Sequence, residues 1–274
     1  MYYIVQENIF RESNYQIVLD ALDRLKLPYS VVRIFPFVDK ISLLSDIPEN
    51  FNVDELKDYD PPINENVFVF GAVKLGRISK KKGWTPGSML NDNHDYNVYK
   101  LYYKENLLNY DSIICSVRDS SSVKWEEGEM KFIRPCKDSK SFTGKLFTEK
   151  EWKQMTDFYG IEKTEIFNEN TLIQIASPKE IQKEIRFWIV DGKVVTGSQY
   201  KLGSFLLYDE KYDVEAEIFV REMINIFQPA KGFVMDVCLH DNKWKIVEIN
   251  CINASGFYKS DVQKLLIALE NCWN

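Results

Sequence analysis

The sequence predicts an α/β chain grading into α+β, with a short parallel sheet first and antiparallel hairpins later. Three observations carry this. Residues 2–5 (YYIV) and 27–35 (LPYSVVRIF) are apolar, β-branched and aromatic runs on either side of a helical pattern, the layout of a β-α-β unit. Residues 184–200 read as strand, Asp191-Gly192, strand, the strongest short-range hairpin signal. Residues 232–250 repeat that form around HDNK.

Between the first two strands, Ile17, Leu22 and Leu25 recur at helical spacing over 13–26, behind a Ser13 cap. A loop rich in Asp, Pro and Asn follows at 46–66, then a third strand at 67–73 (VFVFGAV) that ends in a glycine turn. Residues 83–90 (GWTPGSML) are expected to be a loop, and 96–108 a helix. A second unit starts near Asp111. It holds the strand entering FIRPCKDSKSFTG (132–144), a helix over 147–160 with Thr148 as cap and Gly160 as stop, and a strand at 171–177 (TLIQIAS). A third unit holds the two hairpins, a helix near 213–227 between them, and the amphipathic closing segment SDVQKLLIALENCW. The predicted division is therefore 1–110, 111–177 and 178–274.

Composition narrows the function. The chain has 274 residues, 45% of them hydrophobic, enough for a sizeable core. A formal net charge of -6 argues against a general nucleic-acid binder, although a local basic pocket fits within it. Five cysteines with no CxxC spacing read as reduced, buried thiols of a cytosolic protein. Only His94 and His240 are present, too few for a histidine metal cluster and poor support for a catalytic thiol; His240, beside Asp241 and Asn242, reads as a turn residue. The start, MYYIVQENIFRESN, has no basic segment and is not expected to be a signal peptide. No run reaches the roughly 18 apolar residues of a membrane span. A cytoplasmic location, with no membrane partner, is the expectation.

Chemistry concentrates in three places. In WKIVEIN, strand alternation puts Trp244, Ile246, Glu248 and Asn250 on one face, with Glu248 and Asn250 about 7 Å apart. Across the hairpin Asp236 falls opposite Glu248 within about one residue. It interrupts an otherwise apolar run. Three hard oxygen donors suit Mg²⁺, which completes its shell with phosphate and water; an exposed polar hairpin end is the plainer alternative. In the first hairpin, Glu184 and Arg186 share a face with Trp188, and Lys201 follows the return strand. This is either a solvated face or a guanidinium aimed at a phosphoryl group. In 132–144, Arg134 and Lys140 flank a Ser/Thr/Gly loop without a P-loop or GxGxxG pattern. The loop either holds phosphates or is an ordinary basic surface loop. The stretch GRISKKKGWTPG (76–87) is read as a basic loop, steering an anionic substrate or merely solvated.

The order of these pieces resembles the ATP-grasp superfamily: a cation-bearing strand and loop, the segment LIQIASPKEI, ExR on a hairpin, then D…ExN on the last hairpin. The likeness is to a phage and bacterial clade named for two arginines and a lysine, itself similar to RimK-type ligases. It covers about 130–256. It implies an ATP-grasp fold: an N-terminal β-α-β domain (1–110), a middle subdomain (111–177) and a C-terminal subdomain (178–274), the last two clasping ATP. Under this resemblance Arg134 and Lys140 bind phosphates. Gln174, Ile175 and Ser177 belong to the hinge that meets adenine, Glu180 bonds the ribose, and Arg186 contacts the γ-phosphate with Lys201 assisting. Asp236, Glu248 and Asn250 hold Mg²⁺. Arg186 and Lys140 are the implied catalytic cations. The sequence departs from the pattern in its short middle unit and in SKSFTG, with one glycine where relatives have a glycine-rich loop. The implied reaction is ATP-dependent joining of a small-molecule or peptide carboxylate to an amine through an acylphosphate. A non-catalytic ATP-binding assembly or host-interaction protein, or a kinase, are the alternatives.

Overall fold

Three sheets carry the chain in a computed structural model that describes residues 1–7, 16–35, 38–63, 65–138, 141–161 and 167–273. The first contains β1 (Tyr2–Gln6), β2 (Tyr29–Ile34), β3 (Ile41–Leu43), β4 (Glu65–Phe70) and β5 (Thr85–Gly87), with α1 (Gln16–Leu25) and α2 (Val73–Lys81) as connections. Its order is β3-β2-β1-β4-β5, parallel except for β3. The helix α1 buries Val18, Ala21 and Leu22, the i, i+3, i+4 face that an amphipathic helix turns to a core. Ser13, expected as its cap, lies outside the described residues.

Two expectations about this region need correction. Residues 76–87 are not a basic loop: they are most of α2 followed by β5. Leu75 and Ile78 face the sheet, and Gly76 permits a close approach, since a Cβ there would sit 2.7 Å from Ser88 Oγ. Two of the lysines are neutralised, Lys81 by Asp39 and Lys82 by Asp58 and Asp60. The helix expected over 96–108 is shorter, α3 (Tyr96–Tyr103), capped by Asp95 and ended by Lys104 at positive φ.

The second sheet is antiparallel, with order β6-β9-β7-β8, from β6 (Ile113–Ser116), β7 (Met130–Pro135), β8 (Lys145–Thr148) and β9 (Leu172–Ala176). The helix α4 (Glu149–Ile161) packs on it around Phe147, Trp152, Ile173 and Ile175. Thr148 caps α4 as expected: its hydroxyl accepts from Glu151 N, and the Glu151 carboxylate accepts from Thr148 N at 2.8 Å. Gly160 does not stop it, because the helix continues through Ile161.

The third sheet places the site. It contains β10 (Lys183–Val190), β11 (Lys193–Leu202), β12 (Phe205–Asp209), β13 (Gly232–His240) and β14 (Lys243–Cys251), in the order β12-β11-β10-β13-β14, with α5 (Val214–Ile226) and the closing α6 (Val262–Trp273). Both hairpin turns have paired positive φ, Asp191-Gly192 and Asp241-Asn242, the geometry that matches strand twist. His240 ends β13 rather than sitting in the turn. One face buries Ile185, Phe187, Met235 and Val237 against α5 and the α3 tyrosines. The other buries Trp188, Val190 and Val234 against β1, α1 and α6 at one end and is polar at the other. No helix among the described residues is long and apolar enough to cross a membrane.

The expected single face of β14 is broken. Asp236 pairs with Glu248, yet Val237 pairs with Ile246, so Val247 is an extra residue, a β-bulge. The bulge shifts the alternation by one. Trp244 and Ile246 therefore join Ile249 on the apolar face, while Glu248 and Asn250 point the other way. Deleting Val247 would force one half of β14 onto the wrong face. We expect the deletion to lose more than about 4 kcal/mol, or the cooperative urea transition altogether, and Val247→Ala to stay within about 1 kcal/mol.

Candidate functional site

The polar end of the third sheet faces the second sheet across a cleft of about 600 Å³. Arg134, Lys137 and Lys145 line one wall, Ser177, Pro178 and Lys179 the segment after β9, and Glu184, Tyr200, Lys201 and Glu248 the opposite wall. Gly144 brings its loop close to β7: a Cβ there would lie 2.8 Å from Arg134 Cβ. Asp138 pins the start of the same loop by accepting from Cys251 N at 2.9 Å.

Two ion pairs stand side by side here, one at the cleft wall and one buried behind it. Arg186 grips Asp236 through two hydrogen bonds, Nε to Oδ1 at 2.8 Å and Nη2 to Oδ2 at 2.7 Å, and donates Nη1 to the Gly256 carbonyl at 3.0 Å. Both residues are buried, 7% and 1% exposed. Asn250 Nδ2 donates to the same Asp236 Oδ2 at 3.2 Å. Arg134 donates Nη2 to Glu248 and Nη1 to the Val247 carbonyl at 3.3 Å. Burial, joined by neighbouring Glu248, outweighs the charge and hydrogen bonds of Arg186 and leaves the Asp236 carboxyl raised to about 6. Burial disfavours the Arg134 cation, but Glu248, Tyr99 and Asp138 outweigh it and hold its pKa above the ordinary arginine value.

A third pair completes the wall. Glu184 accepts from Lys201 Nζ and from the Tyr200 hydroxyl, both at 2.6 Å. Lys201 lies within β11, not after it, and a register shift at Tyr200 turns both side chains to Glu184. Tyr200 and Tyr208 both stack on Tyr258, with ring centroids at 4.8 and 5.3 Å. The Arg186 guanidinium sits 4.7 Å over the Tyr258 ring.

Sequence expectations meet this geometry unevenly. Asp236, Glu248 and Asn250 come together, with Arg186, Arg134, Lys201 and Glu184 around them. Ser177 lines the cleft. Gln174 is buried and bonds the Asn109 carbonyl and Ser112 Oγ, while Ile175 lies in the core of the second sheet. Their side chains face inward, and neither residue lines the cleft. Glu180 is exposed and outside the cleft lining; its carbonyl accepts from His240 Nδ1 at 2.6 Å. Lys140 lies outside the described residues.

A family model of the ATP-grasp domain, the third family of the clade named for two arginines and a lysine, matches residues 56–269. The chain belongs to this ATP-grasp family. Its fold is that of solved ATP-grasp structures. D-alanine–D-alanine ligase from Bacillus anthracis complexed with ATP is similar with TM-score 0.58 and 15% identity, covering 99% of this chain and 97% of that one. A RimK domain ATP-grasp protein from Sphaerobacter thermophilus DSM 20745 has TM-score 0.56 and 8% identity, covering 93% and 92%. The ATP-grasp ligase PsnB complexed with precursor peptide PsnA2 and AMPPNP has TM-score 0.54 and 10% identity, covering 100% and 97%. No curated protein matches the chain.

Within this ATP-grasp protein, Asp236, Glu248 and Asn250 fit a divalent cation by donor chemistry: two carboxylates and an amide on one face. Among the described residues no group of three or more His, Cys, Asp or Glu side chains is gathered for a metal. An ion held by these three alone would have to draw its further ligands from phosphate and water. Sequence reading missed Tyr200, Tyr258 and Asn253. Asn253 ties the loop after β14 to the first sheet, donating to the Val69 and Gly87 carbonyls and accepting from Met89 N at 2.7 Å. Its position three residues after Asn250 was the available signal. Asn109, also missed, lines the cleft and holds Gln174 and Tyr96 by its carbonyl.

Removing one partner of the Arg186–Asp236 pair strands a buried charge. Asp236→Ala or Arg186→Met alone should cost about 3–5 kcal/mol in urea denaturation, and the double variant Arg186→Met with Asp236→Leu should recover most of that. Simple addition of the two single costs would show that the pair is not coupled.

Proposed function

We propose that this protein is an ATP-dependent ligase joining a carboxylate to an amine through an acylphosphate. The observation that carries the reading is one cleft in an ATP-grasp chain lined by cations suited to phosphate and by Glu248, with Asp236 and Asn250 buried directly behind it. The neighbours support it: one is a ligase with ATP, and another is a ligase with a precursor peptide and a nucleotide.

In this reading Ser177, Pro178 and Lys179 hold the base end, with Leu108 and Asn109 opposite. Arg134, Lys137, Lys145 and Lys201 take the triphosphate. Arg186 moves from Asp236 to the γ-phosphoryl group. Asp236, Glu248 and Asn250 would hold Mg²⁺, which supplies charge neutralisation at the phosphates. A substrate carboxylate oxygen attacks the γ-phosphorus and ADP leaves. The amine then attacks the acyl carbon, phosphate leaves, and the amine loses a proton. The chain contributes position and preorganised charge rather than a nucleophile, consistent with the absence of a Ser/His or Cys/His set in the sequence reading. The division into 1–110, 111–177 and 178–274 belongs to the same proposal, with the first unit selecting the acceptor and the protein working in the cytoplasm.

The test is calorimetric titration of a non-hydrolysable ATP analogue with Mg²⁺, followed by ADP release over a panel of carboxylates and amines. Micromolar binding that weakens at least about tenfold in Glu248→Ala is expected, with ADP release requiring both co-substrates. ADP release on the carboxylate alone would make it a kinase. Binding without turnover on any pair would make it a nucleotide-binding module, and no binding would remove the nucleotide site.

A further inference from the structure

The cations and carboxylates of the cleft are paired with each other. Arg134 donates to Glu248, Arg186 clasps Asp236 at both oxygens, and Asn250 donates its amide NH₂ to Asp236. Each proposed metal ligand is thus held by a group proposed for phosphate, or by a fellow ligand. The two carboxylates are adjacent, and two arginines already neutralise them.

This arrangement decides what can enter. A divalent cation arriving alone meets carboxylates whose charge is already matched and two guanidiniums that repel it. A free triphosphate meets arginines already satisfied and two carboxylates that repel it. When both arrive, the metal takes the carboxylates, the triphosphate takes the arginines, and the lysines that line the cleft meet the phosphate charge that remains. The exposures agree with this order. The outer pair, at 14% and 25% side-chain exposure, opens to the cleft, while the inner pair, at 9% and 2%, lies behind it.

Resting on the nucleotide reading above, we propose that Arg134 is a specificity-determining residue that keeps Glu248 from metal until a triphosphate draws the guanidinium away, so the site admits a divalent cation only as part of a metal–nucleotide complex. Arg134 here touches both the carboxylate and the incoming phosphates. Its removal has opposite effects on the two ligands, an outcome that a merely structural role would not produce.

The experiment measures Mn²⁺ binding by electron paramagnetic resonance, with and without AMPPNP, on the full chain and on Arg134→Gln. The wild type should take Mn²⁺ only weakly alone and tightly with AMPPNP. Arg134→Gln should bind Mn²⁺ alone at least about tenfold more tightly than the wild type, the factor expected when one charge-assisted bond to a carboxylate is released. It should bind AMPPNP more weakly. Thermal melting with Mn²⁺ alone gives a second readout: the melting temperature of Arg134→Gln should rise and that of the wild type should not. Equal Mn²⁺ affinity in the two proteins, with nucleotide binding intact, overturns the inference and leaves the nucleotide site standing. Failure of the wild type to bind AMPPNP with Mn²⁺ removes the nucleotide reading and the inference with it.

Discussion

Arg186 and Asp236 meet across β10 and β13 in a bidentate pair that is almost wholly out of water. Taking two such charges from solvent costs several kcal/mol each, and only matched geometry with every remaining donor satisfied offsets it. Each guanidinium nitrogen has a partner: the third donates to the Gly256 carbonyl, the ring of Tyr258 covers the guanidinium face, and Asn250 donates to Asp236. The loop after β14 must therefore run back over the sheet, and Asn253 in that loop fastens the first sheet to the third. The ion pair thus joins two neighbouring strands and the loop after β14, and Asn253 in that loop seats the first sheet. An apolar replacement of similar volume is often as stable or more so, so the pair specifies register and path rather than adding net stability.

The bulge at Val247 is the second constraint, and it allows one strand to serve two environments. With regular alternation, Ile246 and Glu248 would share a face, and the apolar core against α5 would have to accept a carboxylate. The extra residue divides β14 into a half that faces the core and a half that faces the cleft. The shift at Tyr200 does the same on β11, bringing a tyrosine and a lysine together on Glu184. Both irregularities lie beside the cleft, where re-aiming a side chain is worth a local loss of ladder bonds.

The legible parts of the sequence were those with local causes. Asp191-Gly192, the Thr148 cap and the Asp236–Glu248 opposition each follow from turn chemistry or strand period, and the structure places them as read. The misreadings came from tertiary context. A bulge leaves no local mark in WKIVEIN, so strict alternation put Trp244 and Ile246 on the wrong face. GRISKKKGWTPG looked like a loop because its lysines dominate. Leu75 and Ile78 against the first sheet outweigh that polarity and make a helix. Gln174 is polar yet faces inward, because the Asn109 carbonyl from a distant loop receives its amide.

The paired charges also explain how an acidic chain keeps a basic cleft. The net charge is -6, and Lys81 and Lys82 are matched by aspartates on the first sheet. Around the cleft the cations outnumber the carboxylates: Arg134, Lys137, Lys145, Lys179 and Lys201 line it with Glu184, Glu248 and Asp138. Lys179 is drawn outward to Asp111 at 2.8 Å, and Lys201 to Glu184, so the positive potential is spread along the wall rather than focused at one point. A polyanion with several charges in a row is the ligand that such a wall suits, because it can meet cations in succession while a single anion meets only one. The electrostatics therefore favour an extended anion over a compact one of the same charge.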